Sequence, residues 1–157
     1  MTPIAGFAVG AAVQTLPAVS EKQKASGAQG GRLLNAYIMV VIGGGAGSLV
    51  RYLVGTAIMV RTGARFPIGT VFINITGSFL IGLLMTLLTQ RLSPHPNLRL
   101  LLVVGFLGGY TTFSSFEWET LGLVRDGGWW LGLLNTVGSV VLGYIAVWLG
   151  AAIAAKR

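Results

Sequence analysis

Four long apolar stretches, separated by short polar ones, set the pattern of this chain. A hydrocarbon core of about 30 Å is crossed by roughly 20 apolar residues of helix. Each stretch is at least that long, and the four cover residues 33–60, 68–90, 98–124 and 129–154. The pattern therefore predicts an all-α membrane protein with four transmembrane helices.

The connections between these stretches are short and carry residues that end helices. Residues 61–67 and 91–97 contain proline, and residues 125–128 contain the sequence Asp-Gly-Gly after an arginine. Glycine and proline of this kind stop helices in water or at lipid headgroups. We therefore expect the four spans to follow one another in up-down-up-down order.

The composition supports a membrane protein and argues against an enzyme. Hydrophobic residues make up 54% of the chain and charged residues 10%, with a mean hydropathy of +0.77. A soluble domain has about a quarter charged residues. No soluble enzyme class fits, and a chain with Cys 0 has no thiol nucleophile or zinc-thiolate site.

The net charge of +7 is explained by membrane flanks rather than by a nucleic-acid partner. The 11 Lys and Arg residues are spread along the chain, mostly at or beyond the ends of the apolar stretches, and form no basic stripe. Seven lie on the face that carries the termini and three on the other face, with Arg51 inside the first span. Three of those seven precede the first span, so the four spans specify their own orientation only weakly.

Residues 1–32 have a different character from the rest of the chain. Residues 20–31 are polar, contain glycine and have no hydrophobic period, which is typical of disorder. We expect 1–32 to be a disordered extension and 33–157 to form the transmembrane domain. No positive side chain precedes the short apolar stretch 4–13, so a cleaved signal peptide is not expected, and a start at Met39 is an alternative explanation of the extension.

Small residues recur at four-residue spacing inside the spans. In lipid, such residues let two helix backbones approach closely and gain van der Waals contact. We therefore expect tight helix packing at three pairs, which are Gly43/Gly47, Ser78/Gly82 and Ser139/Gly143.

The third span is polar in its second half. Gly108 and Gly109 are followed by two threonines, which continue a helix poorly. From residue 111 to 120, seven of ten residues are polar and the other three are aromatic. Irregular backbone at membrane depth survives only when it is buried in protein or lines water. The pattern predicts a broken third helix that faces an internal site.

A broken transmembrane helix can bind ions of either sign. Backbone carbonyls at residues 108–111 suit a cation, whereas the hydroxyls of Ser114 and Ser115 can donate to an anion. Phe113 and Phe116, three residues apart, can present the positive edges of their rings to an anion or can simply pack in the core. The residue pattern alone leaves these alternatives open.

Other polar residues inside the spans allow two interpretations. Asn74, Asn135 and Ser139 either form a polar path with the serines of the third span or bond between helices for structural reasons. Glu117 and Glu119 are each candidates for a pathway group, a partner of arginine or an exposed acid.

Three motifs occur in order in the first three spans. They are Gly47-x-x-x-Arg51-Tyr52, Gly69-Thr70-x-x-x-Asn74-x-x-Gly77-Ser78-Phe79 and Gly105-Phe106-x-Gly108-Gly109-x-Thr111-Thr112-Phe113-Ser114-Ser115-Phe116-x-x-Glu119. Together they resemble the fluoride ion channel family known as CrcB or Fluc, over a region from about residue 39 to the C-terminus. The resemblance implies passive fluoride export across the inner (cytoplasmic) membrane by an antiparallel, dual-topology homodimer with two pores.

The resemblance also implies roles for individual residues. By position, the ion pathway would consist of Asn74, Phe113, Ser114, Ser115, Phe116, Glu119 and Ser139. Backbone carbonyls of Gly108 and Thr111, from both subunits, would hold a structural sodium ion. Glu117 adds a second acid near Glu119 and leaves the role of each open. The rival class is a proton-coupled exporter of the small multidrug type, which needs a carboxylate in the first span, and that span has none.

Overall fold

A computed structural model of the 157-residue chain describes residues 27–90 and 96–156. The first two spans are α1 (Gly27–Thr62) and α2 (Ile68–Gln90). The third consists of α3 (Pro96–Arg99), a π-helical segment (Leu100–Leu107), α4 (Gly108–Tyr110) and α5 (Phe113–Arg125). The fourth is α6 (Trp129–Ala155). All four spans are long and apolar enough to cross a membrane, as predicted.

The first helix begins earlier than the apolar pattern indicates. It starts at Gly27, although the predicted span starts at residue 33 and residues up to 32 were expected to be disordered. Extending an existing helix adds one hydrogen bond for each residue fixed, so a polar turn can continue a helix that an apolar stretch has nucleated. The remainder of the predicted extension, residues 1–26, lies outside the described residues. The contacts given below all lie within a compact unit that begins at Asn35.

Helix ends follow local backbone chemistry. The Gly63 N–H donates to the Met59 carbonyl and closes the end of α1 with a positive φ of 57°, which glycine adopts without a Cβ penalty. After α5, Gly127 also has a positive φ, of 81°, and its N–H donates to the Val124 carbonyl. These glycines make the connections short and return the chain into the bilayer.

The first half of the third span is a π-helix rather than the ordinary α-helix expected for this segment. The Gly108 N–H donates to the Val103 carbonyl, five residues back. Hydrophobic periodicity does not distinguish the two helix types. Extended π-helical turns are rare and are often found near functional sites.

Two glycine seams hold the spans together. In the first, a Cβ on Gly43 would collide with the Leu101 carbonyl, and one on Gly47 with the Phe106 carbonyl, so α1 lies directly on the third span. The second seam joins α2 to α6. A Cβ on Gly82 would collide with the Val147 carbonyl and one on Gly150 with the Phe79 carbonyl, while Gly143 lies beside the Ser78 side chain. The predicted tight packing is confirmed at Gly43, Gly47 and Gly82, whereas close packing at Ser139 stays a prediction.

Large apolar side chains cover the outside of the described helices. Val60, Tyr144 and Trp148 are 78%, 75% and 62% exposed, and Trp129 and Trp130 are exposed near the start of α6. Such exposure would be costly in water and is expected of side chains that face lipid.

Candidate ion pathway at the break in the third span

The break itself consists of two extended residues between α4 and α5. Thr111 has φ −80° and ψ 157°, and Thr112 has φ −150° and ψ 124°. Residues on both sides are helical, so the predicted break is present and lies just after the paired glycines. It exposes backbone groups that a continuous helix would satisfy.

Asn74 of α2 holds this break with both halves of its amide. Its Nδ2 donates to the Thr112 carbonyl at 2.9 Å, and its Oδ1 accepts from the Thr112 N–H at 2.9 Å. A side-chain amide thus replaces the peptide partners that Thr112 would have in a regular helix. This satisfies the extended backbone inside the bilayer, where an unpaired peptide group costs several kcal/mol.

The same bonds release two carbonyl oxygens. In a continuous α-helix the N–H of Thr112 would bond to the Gly108 carbonyl and that of Ser115 to the Thr111 carbonyl. Here Thr112 donates to Asn74, and Ser115 donates to the Thr112 hydroxyl at 3.3 Å. The carbonyls of Gly108 and Thr111 are therefore deprived of their helical donors.

Two further residues of α2 contact the chain beside the break. The Tyr110 hydroxyl lies 2.9 Å from Thr76 Oγ1. Gly77 is so close to the break that an added Cβ would collide with the methyl group of Thr111. Helix α2 thus contacts residues 110, 111 and 112 in turn.

The two phenylalanines begin α5 and differ in exposure. Phe113 is 70% exposed and Phe116 only 7%, with ring centroids 5.7 Å apart and planes inclined by 38°. Thr112 caps this helix, because its hydroxyl accepts from the Ser115 N–H and donates to Ser115 Oγ at 3.0 Å. Ser114, which follows Phe113 in the chain, is exposed. The rings and hydroxyls predicted for the pathway thus belong to the first turn of α5.

The two acids of α5 lie in different environments. Glu119 is half-buried, and its Oε1 accepts a 2.8 Å hydrogen bond from the buried Thr70. Its Oε2 is buried without a hydrogen-bond partner among the described residues. Glu117 is exposed. Of the two acids, Glu119 is the one that points toward α2.

Ser139 and Asn135 belong to a second polar group, on α6. Asn135 is 1% exposed and donates from Nδ2 to Thr120 Oγ1 at 2.7 Å. The Thr120 hydroxyl donates in turn to the Phe116 carbonyl at 2.7 Å, and Ser139 lies 3.5 Å from Asn135 Oδ1. No hydrogen bond joins this group to Asn74 in the described parts of the chain. The polar side chains therefore form two groups, one bonded to Thr112 just before α5 and the other bonded to Thr120 within α5.

Sequence reasoning missed Thr70, Thr76 and Tyr110 as contact residues of this region. One signal was available for Thr70, since residues 70, 74 and 77 share one face of a helix and are all small or polar. No such signal marks Tyr110, because an aromatic residue in an apolar helix is normally taken as packing.

A cation here would be bound by oxygens rather than by a cluster of side-chain ligands. Within the described residues there is no group of three or more His, Cys, Asp or Glu that could hold a metal ion. Carbonyl oxygens freed from helical bonding are the groups that replace the hydration shell of alkali cations in membrane channels. The donor set at the break therefore fits such a cation.

These features define a multi-pass helical membrane protein whose third span is broken around a small polar site. Residues 38–151 match the family model described as CrcB-like protein, Camphor Resistance (CrcB), and the chain belongs to this family. It is also similar to three curated proteins that share the name fluoride-specific ion channel FluC.

The first of these relatives, from Solibacter usitatus, is 67% identical over 120 residues, which cover 76% of this chain and 98% of the relative. The second, from Hydrogenobaculum, is 49% identical over 114 residues, covering 73% and 93%. The third, from Acidobacterium capsulatum, is 48% identical over 114 residues, covering 73% and 91%. The family resemblance predicted from the motifs is confirmed.

Proposed function

We propose that this chain is the subunit of a fluoride-selective channel that lets fluoride leave the cell passively across the inner membrane. The observation that carries the proposal is the broken third span, where two phenylalanine rings and two serine hydroxyls belong to the first helical turn after the break. The 67% identity to a protein named fluoride-specific ion channel supports the choice of ion. Passive movement of fluoride down its gradient needs no catalytic step.

The first turn of α5 supplies chemistry that suits fluoride. Fluoride is small and strongly hydrated, so a selective pore must replace its water with donors and still release it. The hydroxyls of Ser114 and Ser115 donate, and the rings of Phe113 and Phe116 offer positive edges. None of these groups is a fixed cation, so none would trap the ion.

The remaining predicted pathway residues adjoin this turn. Asn74 fixes the backbone that precedes Phe113, and Glu119 lies one helical turn beyond Phe116 with Thr70 beside it. Ser139 lies in the group on α6 that ends at the Phe116 carbonyl. We propose that Asn74 and Glu119 border the path directly and that Ser139 borders it beyond Phe116.

The polar surface of α5 supports a homodimer. Phe113 is 70% exposed, and Ser114 and Glu117 are exposed on the same short helix of a membrane span. Polar and acidic side chains are expensive to leave in hydrocarbon, so a second subunit is needed to cover them. The weak charge bias of the spans supports an antiparallel, dual-topology arrangement, in which each subunit contributes its break to the centre.

The freed carbonyls of Gly108 and Thr111 support a structural sodium ion between the two subunits. Gly108 is exposed, and a Cβ added there would meet nothing within 4 Å in its own chain, so its carbonyl and backbone are open to a partner. When bound, the ion would supply positive charge that compensates several carbonyl dipoles. Asn74 and Thr112 contribute by taking the N–H groups that would otherwise occupy these oxygens.

The comparisons support a fluoride channel and not a proton-coupled exporter of the small multidrug type. The matched family is CrcB, and α1 contains no Asp or Glu. Fluoride release from liposomes loaded with potassium fluoride separates the two functions. With valinomycin present so that potassium balances the charge, a channel releases fluoride at a rate that a protonophore does not change and releases little chloride. The rate of a coupled exporter instead changes with the proton gradient.

A further inference from the structure

The Tyr110 side chain carries a buried hydroxyl at the last helical position before the break. Tyr110 is 6% exposed, and its hydroxyl oxygen lies 2.9 Å from Thr76 Oγ1 on α2. A phenylalanine would fill the same space without a polar group to satisfy. A hydroxyl buried in a membrane span is stable only with a partner, so the pair has a directional role that packing alone does not require.

The direction of this bond follows from the other contacts of Thr76. Its hydroxyl has one proton, and carbonyls of its own helix lie in range, with Phe72 O at 2.8 Å and Ile73 O at 3.1 Å. The Thr76 oxygen therefore accepts, and the Tyr110 hydroxyl donates. Phe106 fixes the other end of the tyrosine by stacking on its ring, with centroids 6.0 Å apart and planes within 9° of parallel.

Tyr110 is thus fixed both by stacking on Phe106 and by the hydrogen bond of its hydroxyl to Thr76. The next two residues in the chain are the extended ones of the break. Thr111 then contacts Gly77, and Thr112 bonds to Asn74. The Thr76 bond anchors the helical end of this segment, just as the Asn74 bonds anchor its far end. Neither hydroxyl lies on the first turn of α5, where the rings and serines are.

We propose that Tyr110 and Thr76 form a positioning pair that sets the backbone at residues 111–112, and with it the ring of Phe113, without touching the permeating ion. The inference rests on the proposed channel function. It assigns a role in conduction to two residues outside the pathway.

Hydroxyl deletions test the pair with little change in volume. Tyr110→Phe removes the donor and keeps the ring, and Thr76→Val removes the acceptor. Thr76→Ser keeps the acceptor and serves as the conservative rescue. Two matched controls remove hydroxyls elsewhere. They are Tyr144→Phe, at a side chain that is 75% exposed, and Thr89→Val, whose hydroxyl donates to the Met85 carbonyl of its own helix.

The first measurement is fluoride flux from liposomes as a function of fluoride concentration, at equal amounts of folded, assembled protein. An interhelical hydrogen bond in a membrane contributes ~0.6 kcal/mol, which corresponds to roughly threefold. We expect Tyr110→Phe and Thr76→Val each to lower the maximal flux about threefold, and the double variant to lower it by the same factor. The half-saturating fluoride concentration should not move, and Thr76→Ser and both controls should match the wild type.

Three results would overturn the positioning pair. These are wild-type flux from both single variants, an effect in the double variant that is the product of the two, or a shift in half-saturating concentration that indicates direct contact with the ion. A wild-type protein that releases no fluoride would instead contradict the proposed function. Amide hydrogen exchange over residues 107–113 then still decides the inference, because Tyr110→Phe and Thr76→Val should accelerate exchange equally, and unchanged exchange would reject the pair.

Discussion

The glycine seams and the break are both places where backbones of different spans meet, but they are held by different forces. At the seams, Gly47 and Gly82 bring one helix against the carbonyls of another with no side chain between them. At the break, the side chains of Asn74 and Thr76 bond to the chain of the third span. Close packing of backbones holds two regular helices together, whereas hydrogen bonds from side chains to the backbone stabilise an irregular segment in which two carbonyls lack their helical donors.

This difference has a consequence for substitution. Replacing a seam glycine by a larger residue should separate the two helices, because the carbonyl oxygens and Cα atoms it would meet cannot move aside as a flexible side chain can. The break fails when a donor or acceptor is removed, because its backbone groups have no alternative partner in hydrocarbon. The two regions should therefore respond to opposite kinds of mutation.

The largest expected effect is at the first seam. Gly47→Val places a side chain against the Phe106 carbonyl and should prevent α1 from docking on the third span, at a cost of about 3 kcal/mol or more. Yield and thermal stability of the detergent-solubilised protein measure this. Gly45→Val is the matched control, since a Cβ on Gly45 meets nothing within 4 Å in its own chain. Equal stability of the two variants would contradict the seam.

Gly108→Val separates the fold of one subunit from the proposed assembly. A Cβ at Gly108 meets nothing in its own chain, so helix content should remain unchanged. The exposed backbone should no longer approach a second subunit, and the dimer should be lost in size-exclusion chromatography with light scattering. A stable Gly108→Val dimer that conducts equally with and without sodium would contradict the proposed sodium site.

Asn74→Ala tests the far anchor of the break. It removes two hydrogen bonds to Thr112, and about 1–2 kcal/mol in total is the expected loss if each contributes what interhelical bonds in membranes usually do. If this loss falls on the conducting state, we expect fluoride flux about five- to thirtyfold lower at equal dimer content. Asn135→Ala is an informative comparison, because it removes a hydrogen bond to Thr120 and leaves the bonds to Thr112 in place. Wild-type flux from Asn74→Ala would show that the break does not depend on this amide.

The smallest expected effect is at the serines. Ser115→Ala removes the partner of the Thr112 hydroxyl, and Ser114→Ala removes an exposed hydroxyl that water can replace. We expect each to lower fluoride flux by a few-fold at most, with the dimer intact. Complete loss of flux from Ser114→Ala would instead identify this hydroxyl as an indispensable ligand.

Much of the fold follows from local rules. The second span matches the predicted residues 68–90 because Pro67 and the apolar run fix where the helix begins and how far it extends. The break can be predicted because Gly108 and Gly109 shortly precede two β-branched threonines, which continue a helix poorly. The start of α1 at Gly27 could not be predicted from the apolar pattern, because a polar helical turn has no hydrophobic periodicity.

The partners of the polar residues could not be predicted in the same way. The sequence shows that Asn74 and Glu119 are polar within membrane spans, but their bonds to Thr112 and Thr70 depend on the depth and rotation of two helices relative to each other. Those quantities are set by the glycine seams, whose pairing is a property of the assembled spans. For the same reason the polar groups around Asn74 and Asn135 could not be separated before the structure showed that one bonds to Thr112 and the other to Thr120.

The most direct test of the central claim is fluoride efflux from liposomes containing Phe113→Ile or Phe116→Ile, in variants that still elute as folded dimers. Replacing an apolar side chain by one of similar volume usually costs less than about 1.5 kcal/mol, so rings that only fill space should tolerate isoleucine. If the positive edges of these rings contact the ion, isoleucine offers no substitute. We therefore expect fluoride efflux to collapse in both variants while the dimer persists. Wild-type efflux from both would contradict it and remove the pathway from this segment.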